Sequence, residues 1–178
     1  MILTDKSIIE AIEKGEIVIK HLNKEKIGTN SIDVHLAPFL STYKREILDV
    51  KNRNETQLIP IPKEGFVLLP GELYLGSTVE YTEFHNHVPF CEGKSSLGRL
   101  GINIHATAGK GDIGFKGHWT LEISVINPVR IYPLMPIAQL IVFMPYGDVL
   151  QKYCDKKTAK YNNTSELPMS SKMHENFE

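Results

Sequence analysis

The chain has 178 residues, 42% hydrophobic and 23% charged, as expected for a soluble protein with one substantial core. Its 20 basic and 21 acidic residues nearly cancel, which excludes a basic field able to hold a nucleic-acid polymer. The two cysteines form no pairing pattern, and no apolar run reaches the length of a signal peptide or a membrane span. We therefore expect a cytoplasmic protein, without membrane partners, that binds small anions through a few placed residues.

The first predicted element is a short N-terminal helix. Thr4 can cap it, Ile8, Ala11 and Ile12 fall on one face, and Gly15 ends it. Beyond Gly15 the sequence indicates short strands punctuated by Pro, Gly, Asn and Asp, which is typical of an all-β barrel or sandwich. The predicted strands cover residues 16–19, 31–36, 66–69, 73–76, 102–105, 119–125 and 139–143.

These elements indicate a single domain over residues 1–178. Residues 43–58 are charged and poor in apolar residues, so we expect an insertion or a long hairpin at the edge of the domain. Residues 156–178 are polar, and we expect them to pack on a neighbour or to close over a site.

Residues 92–101 combine glycines, two hydroxyls and two cations. Glycines let backbone N–H groups approach a ligand closely, and hydroxyls and cations donate to phosphate oxygens. The spacing of the glycines and of Lys94-Ser95 does not match that of a Walker A loop. Two interpretations stay open: a phosphate-binding turn, or a solvated turn that enters a helix with Ser95 as its N-cap.

Residues 104–115 are mostly small and include Asp112 between glycines. The run of small residues suggests a backbone surface that can admit a flat ligand, while Asp beside Gly is more often a turn residue. Residues 117–124 then alternate as a half-buried strand, with Trp119, Leu121 and Ile123 on one face and Glu122 on the other. Glu122 is either solvated or, if its face lines a cavity, able to act as an acid and base.

The segment from Glu92 to Glu122 is similar, in residue order and spacing, to the signature of the dCTP deaminase family. Its parts are Glu-Gly-Lys-Ser-Ser-Leu-Gly-Arg-Leu-Gly at 92–101, His-Ala-Thr-Ala-Gly at 105–109, Asp112, Gly-Phe at 114–115, Gly-His at 117–118 and Thr-Leu-Glu at 120–122. Shorter similarities lie at residues 1–5, 31–34, 70–72, 137–140 and 159–161. The resemblance spans nearly the whole chain, with a gap around residues 43–58.

The resemblance implies a distorted, dUTPase-like β-barrel that forms a homotrimer with active sites shared between subunits. It implies that Glu122 is the general acid and base that activates water for attack on C4 of cytosine. Ser95 and Arg99 would reach the site from a neighbouring subunit, and backbone groups at Ala108 would help to fix the water.

The same resemblance implies dCTP and dUTP as ligands, dTTP as a candidate inhibitor, and Mg²⁺ carried by the triphosphate with no metal ligand from the protein. Asp112 would lie near the deoxyribose, where the related dUTPases use a carboxylate to position water. The implied substrate-binding residues are Lys94, Ser96, Thr107, Asp112, Gln139, Tyr153, Lys157 and Lys160. Zinc is not expected, because the His-x-Glu and Pro-Cys-x-x-Cys spacings of zinc deaminases are missing.

Four functions remain open in the sequence. The first is hydrolytic deamination of dCTP to dUTP and ammonia, which supplies dUTP for dUMP and dTTP synthesis. The second is a bifunctional dCTP deaminase and dUTP diphosphatase that yields dUMP and pyrophosphate. A pure dUTPase and a non-catalytic nucleotide-binding regulator are the others. Lys110-Gly111 and Ile113 depart from the common family pattern beside Asp112, where we expect the choice between the first two products to be made.

Overall fold

One short helix precedes the strands, as predicted. The computed structural model describes residues 1–177, and its helix α1 spans Asp5–Glu13 with Ile8 and Ala11 buried. Gly15 follows at a φ of 71°, a left-handed conformation that glycine adopts without steric cost. Thr4 occupies the N-cap position, but its hydroxyl lies 3.4 Å from the hydroxyl of Ser7 and caps no backbone N–H.

Twelve strands make up most of the remaining regular structure of residues 1–177. In chain order they are β1 (Ile17–Lys20), β2 (Ile32–Tyr43), β3 (Thr56–Pro60), β4 (Phe66–Leu68), β5 (Tyr74–Thr78), β6 (Tyr81–Phe84), β7 (Val88–Gly93), β8 (Ile102–Asn103), β9 (Lys116–Gly117), β10 (Thr120–Val125), β11 (Val129–Ile131) and β12 (Pro136–Phe143). A four-residue helix α2 (Ser95–Gly98) follows β7, and 3₁₀ turns lie at Lys24–Lys26, Tyr153–Asp155 and Met173–Asn176.

The strands pair antiparallel in three sheets. The largest runs in the order β7-β12-β2-β5-β10-β8, with β3 paired to β2, and smaller sheets are formed by β1-β6-β9 and β11-β4. Register shifts in β2 and β12 bend the large sheet into a barrel-like form. The predicted mainly β fold with a short N-terminal helix is therefore confirmed.

Strand β10 shows why the sequence alternates. Leu121 and Ile123 are completely buried, whereas Thr120, Glu122 and Ser124 on the opposite face are partly exposed. Burying a side chain of this size contributes about 2 kcal/mol, so the register of β10 is fixed by its apolar face. Gly76 of β5 lies against this face, where an added Cβ would come within 2.8 Å of Ile123.

Residues 44–55 form the turn of the hairpin between β2 and β3. Whether residues 43–58 are an insertion stays a prediction, as does the single-domain extent. Residue 178 of the predicted polar C-terminal segment lies outside the described residues. Within residues 1–177, no helix is long and apolar enough to cross a bilayer.

Candidate active site

A cavity of about 380 Å³ lies between β10, the loop of residues 108–112 and the C-terminal segment. Four of the predicted site residues line it, namely Ala108, Asp112, Glu122 and Tyr153. The fold brings them together because β10 presents its polar face to this space and the loop after β8 packs alongside. The cavity has the size and the convergent polar groups of a small-molecule site.

Glu122 is held by two neighbours. Its Oε2 accepts a hydrogen bond from the backbone N–H of Ala106 at 3.3 Å and lies 3.2 Å from Nδ1 of His105. The Glu122 side chain is one-third exposed, at 33%, and reaches the cavity, whereas the ring of His105 is only 12% exposed. This arrangement gives a carboxylate with a fixed direction and access to a ligand.

His105 is a site residue to which the sequence analysis assigned no role. Strands β8 and β10 pair Asn103 with Ser124 and Ile102 with Val125. Extending that antiparallel register by two residues places His105 opposite Glu122. The Nε2 atom of His105 is buried and has no hydrogen-bond partner within residues 1–177, so the hydrogen-bond contact of the ring there is the one with Glu122.

The loop of residues 108–112 packs so closely against its neighbours that it needs small residues. The carbonyl of Gly109 accepts the N–H of Cys91 at 2.7 Å, and Gly111 donates to the carbonyl of Pro89 at 2.8 Å. A Cβ on Gly111 would lie 2.5 Å from the indole of Trp119. The loop is therefore pressed against β7 and Trp119, which positions Ala108 and Asp112 at the cavity.

Asp112 fits both interpretations of its sequence context. Its carbonyl accepts the N–H of Phe115 at 3.0 Å, as in a turn, and its side chain also lines the cavity. The carboxylate pairs with the ammonium of Lys110 at 2.5 Å, and both side chains are about half exposed. A pair of this exposure is weak, so either group can turn to a ligand at little cost.

The C-terminal segment covers the cavity of its own chain. Tyr161, Thr164, Met169, Ser170 and Ser171 line it. Three backbone contacts hold the segment in place: Tyr153 Oη accepts the N–H of Tyr161 at 2.9 Å, Thr120 Oγ1 accepts that of Met169 at 3.2 Å, and the hydroxyl of Ser77 donates to the carbonyl of Glu166. Of the two sequence expectations for this segment, closing over a site is the one that its position fits.

The other predicted site residues do not line this cavity within residues 1–177. Lys94 is the N-cap of α2, and its ammonium lies 2.6 Å from Asp33, while Ser95, Ser96 and Arg99 are exposed on or next to that helix. The helix interpretation placed Ser95 at the N-cap, which was wrong by one residue, because Ser95 already has a helical position. The remaining residues outside the cavity are Thr107, Gln139, Lys157 and Lys160.

Lys94 and Gln139 lie on one polar face of the large sheet, beside α2. Gln139 is opposite both Asp33 of β2 and Glu92 of β7, and its side-chain oxygen accepts a hydrogen bond from Ser31 at 3.4 Å. We call this the α2 edge, defined by Asp33, Glu92, Lys94 and Gln139 together with α2. Lys160 is engaged elsewhere, with Asn176 at 2.5 Å. Within one chain, the predicted site is thus divided between the cavity and the α2 edge.

The cysteines are poorly suited to metal binding or nucleophilic chemistry. Burial, reinforced by the carboxylates of Glu92 and Glu122, raises the pKa of the Cys91 thiol far above its ordinary value. Desolvation and a hydrogen bond to Asp155 raise the pKa of Cys154. Metals and electrophiles react with thiolates, and both environments disfavour that form. Across residues 1–177, no three His, Cys, Asp or Glu side chains converge in a way that could hold a metal ion.

Comparisons with known proteins identify related sequences and a related fold. Residues 2–144 match the family model described as dCTP deaminase-like. A protein of Clostridium acetobutylicum named "dCTP deaminase, dUMP-forming" is 46% identical over 170 residues, covering 96% of this chain and 95% of its own. A protein of Cytophaga hutchinsonii with the same name is 42% identical over 164 residues, covering 92% of each chain.

A solved structure described as the 2'-deoxycytidine 5'-triphosphate deaminase of Agrobacterium tumefaciens superimposes with a TM-score of 0.64 at 18% identity. The similarity covers 82% of this chain and 48% of that one, so this chain spans about half the length of the solved structure. At this identity the likeness shows a common fold. The extent of the family match and the identity to the curated relatives show that the chain belongs to the dCTP deaminase-like family.

Proposed function

We propose that this protein converts dCTP to dUMP, ammonia and pyrophosphate in one cavity. The observation that carries the proposal is the pair of carboxylates in that cavity, Glu122 fixed by His105 and Ala106, and Asp112 beside Lys110. The two relatives named as dUMP-forming favour this product over the release of dUTP, which the sequence analysis placed first.

Glu122 performs the deamination. Its carboxylate takes a proton from water, and the resulting hydroxide attacks C4 of cytosine as N3 accepts that proton from the carboxyl group. A second proton is delivered through Glu122 from the new C4 hydroxyl to the amino group, the C4–N4 bond breaks, and ammonia leaves behind a uracil carbonyl. The contacts with His105 and Ala106 hold the carboxylate still during these transfers.

Asp112 serves the second step. Its carboxylate accepts a proton from a water molecule whose oxygen attacks the α-phosphorus. The new P–O bond forms as the bond between the α-phosphorus and the bridging oxygen breaks, and pyrophosphate leaves. Lys110 lies within reach to compensate negative charge on the phosphates. Deamination and hydrolysis then use two carboxylates at one site without movement of the nucleotide to another cavity.

Magnesium accompanies the triphosphate in this proposal, and its chemistry when bound is to neutralise phosphate charge. The residues present fit an ion that keeps mostly phosphate and water oxygens as ligands, because Asp112 is the only aspartate on the cavity wall within residues 1–177. Deamination without zinc is supported by the residues themselves, since Glu122 supplies the proton transfers and both thiols are held in their protonated form.

The active unit is a homotrimer whose subunits complete one another's sites. A nucleoside triphosphate carries several negative charges, yet Lys110 is the single Lys or Arg on the cavity wall among residues 1–177. The exposed residues Ser95, Ser96 and Arg99 beside Lys94 offer the missing donors if a neighbouring α2 edge meets this cavity. The same cavity would admit dTTP as an inhibitor, and a cytoplasmic nucleotide pool is the expected setting.

Incubation of the protein with dCTP and Mg²⁺, followed by chromatographic separation of products, tests the proposal. We expect dUMP, pyrophosphate and ammonia in equal amounts. Glu122→Gln should lower ammonia release by about 10²- to 10⁴-fold because the amide cannot transfer protons, while hydrolysis of supplied dUTP continues. Glu13→Gln, at the exposed end of α1, is the matched control and should behave as the wild type.

Each other outcome has a definite meaning. Accumulation of dUTP from the wild type would refute the second step and restore the deaminase that stops at dUTP. Near-normal ammonia release from Glu122→Gln would refute the role of this residue. Inertness toward both dCTP and dUTP would favour a nucleotide-binding regulator.

A further inference from the structure

The hairpin between β2 and β3 has no role in the reaction described above, although several hydrogen bonds hold its turn in a definite shape. Tyr43 pairs with Thr56 at its base, and the N–H of Lys44 donates to the carbonyl of Glu55 at 3.0 Å. At its tip, Asn54 donates to the carbonyl of Asp49 at 2.8 Å. These bonds give the turn a definite shape, so it can serve as a support for another segment.

The segment that it supports is the C-terminal one. The hydroxyl oxygen of Tyr43 accepts the backbone N–H of Ser171 at 3.1 Å. Farther along the hairpin, the ammonium of Lys51 lies 5.7 Å from the centre of the Phe177 ring, within the range of a cation–π contact. Arg53 lies with Ser170 along a surface depression between the two segments.

The supported residues are also part of the cavity wall. Met169, Ser170 and Ser171 line the cavity, and Met169 is bound by its N–H to Thr120, two residues before Glu122. This stretch is therefore held on one side by the strand that carries the acid and base and on the other by Tyr43. A loss of either support would let the wall move away from a bound nucleotide.

We infer that the β2–β3 hairpin is a clamp for the C-terminal segment and that Tyr43 is a positioning residue for nucleotide binding, through its hydrogen bond to Ser171. The inference rests on the proposed function for the identity of the ligand. Tyr43 lines the cavity itself and also holds residues 169–171, so its loss weakens binding of the nucleotide and leaves the proton transfers of Glu122 unchanged.

Tyr43→Phe removes the hydroxyl and keeps the ring. We expect the KM for dCTP to rise about threefold to tenfold, the effect of losing one hydrogen bond, with kcat within about twofold of the wild type. In nucleotide-free protein, trypsin should cut after Lys172 several times faster, because Ser171 is released. Tyr146→Phe, at a fully exposed tyrosine, is the matched control and should change neither quantity.

Lys51→Ala tests the clamp from outside the cavity, where the change cannot touch the nucleotide. It should also speed the cleavage after Lys172 and raise KM by about twofold. Unchanged cleavage in both variants, or a fall in kcat at constant KM in Tyr43→Phe, would overturn the inference. The cleavage assay needs no substrate, so failure of the clamp and failure of the proposed function are distinguishable.

Discussion

At the scale of single residues, the contact between His105 and Glu122 governs the proposed chemistry. The ring nitrogen that faces the carboxylate lies 3.2 Å from it, and the other nitrogen is buried without a partner in residues 1–177. A ring in this position cannot turn to another partner without leaving Glu122. His105 therefore sets the direction of the carboxylate toward the substrate.

We expect His105→Phe to lower kcat by about tenfold to a hundredfold while the KM for dCTP stays nearly constant. The reason is that a hydrogen bond to a charged group contributes about 1.5–3 kcal/mol, and here it orients the reacting group. His105→Asn keeps a short donor and should recover part of the lost rate. Steady-state kinetics on the three proteins checks this, and equal losses in both variants would contradict an orienting role.

Glu122 was predictable from the sequence and the function of His105 was not, for a physical reason. The alternation of residues 117–124 is a local property, and it placed Glu122 on the polar face before any tertiary contact was known. The pairing of His105 with Glu122 depends on the register between β8 and β10, which is set by packing of distant segments. The position of Asp112 at the cavity depends in the same way on the packing of the loop against β7.

At the scale of elements, the turn between β6 and β7 is packed against the end of α1 by a buried histidine. His87 is 1% exposed, its Nδ1 has no partner within residues 1–177, and its Nε2 lies 3.8 Å from Glu16. Burial lowers the pKa of His87, and the weaker attraction of Glu16 opposes this effect without reversing it. The docked turn therefore favours the neutral form of the ring.

This predicts a loss of stability in mild acid. Below about pH 6.5, the ordinary pKa of histidine, the unfolded chain takes up a proton that folded His87 does not. The free energy of unfolding should thus fall as the pH drops from about 6.5 toward the lower pKa of the folded state. The contribution is fully present above that window.

His87→Gln removes the titrating group and should make the stability less dependent on pH below about 6.5. Urea midpoints of the two proteins between pH 8 and pH 5 provide the measurement, with the other six histidines common to both. An identical pH slope in both proteins would show that His87 is not held neutral.

Element boundaries were less accessible to sequence reasoning than element type. Residues 102–105 were predicted as a strand, but β8 ends at Asn103 because the following residues turn toward Glu122 and then fold onto β7. The long β2 extends to Tyr43, where the predicted strand stopped at residue 36, because its second half pairs with β3. Such extensions depend on a partner strand, so the local sequence pattern of apolar and polar residues does not predict them.

At the scale of the whole molecule, the predicted site residues lie on two separate polar surfaces. The cavity holds the two carboxylates, while the predicted phosphate contacts Lys94, Ser96 and Gln139 lie on the α2 edge. Sequence resemblance supplied both groups and implied that Ser95 and Arg99 act on a neighbouring subunit, but it did not place Lys94, Ser96 and Gln139 outside the cavity of their own chain. A closed ring of three copies, each placing its α2 edge against the next cavity, would unite them, since a heterologous interface of this kind closes by rotation.

Mixed trimers test this arrangement in a quantitative way. Light scattering should first give a mass close to three times the 20.1 kDa of one chain.

Glu122→Gln and Arg99→Ala proteins are then each prepared, unfolded together in equal amounts and refolded. If every site takes Glu122 from one subunit and Arg99 from its neighbour, each mixed trimer contains one intact site. Random mixing makes about three-quarters of the trimers mixed, so about a quarter of the wild-type deaminase activity should return. Restoration far below this level in trimers verified to be mixed would show that each chain builds its site alone, and that the α2 edge serves a purpose other than completing the neighbouring cavity.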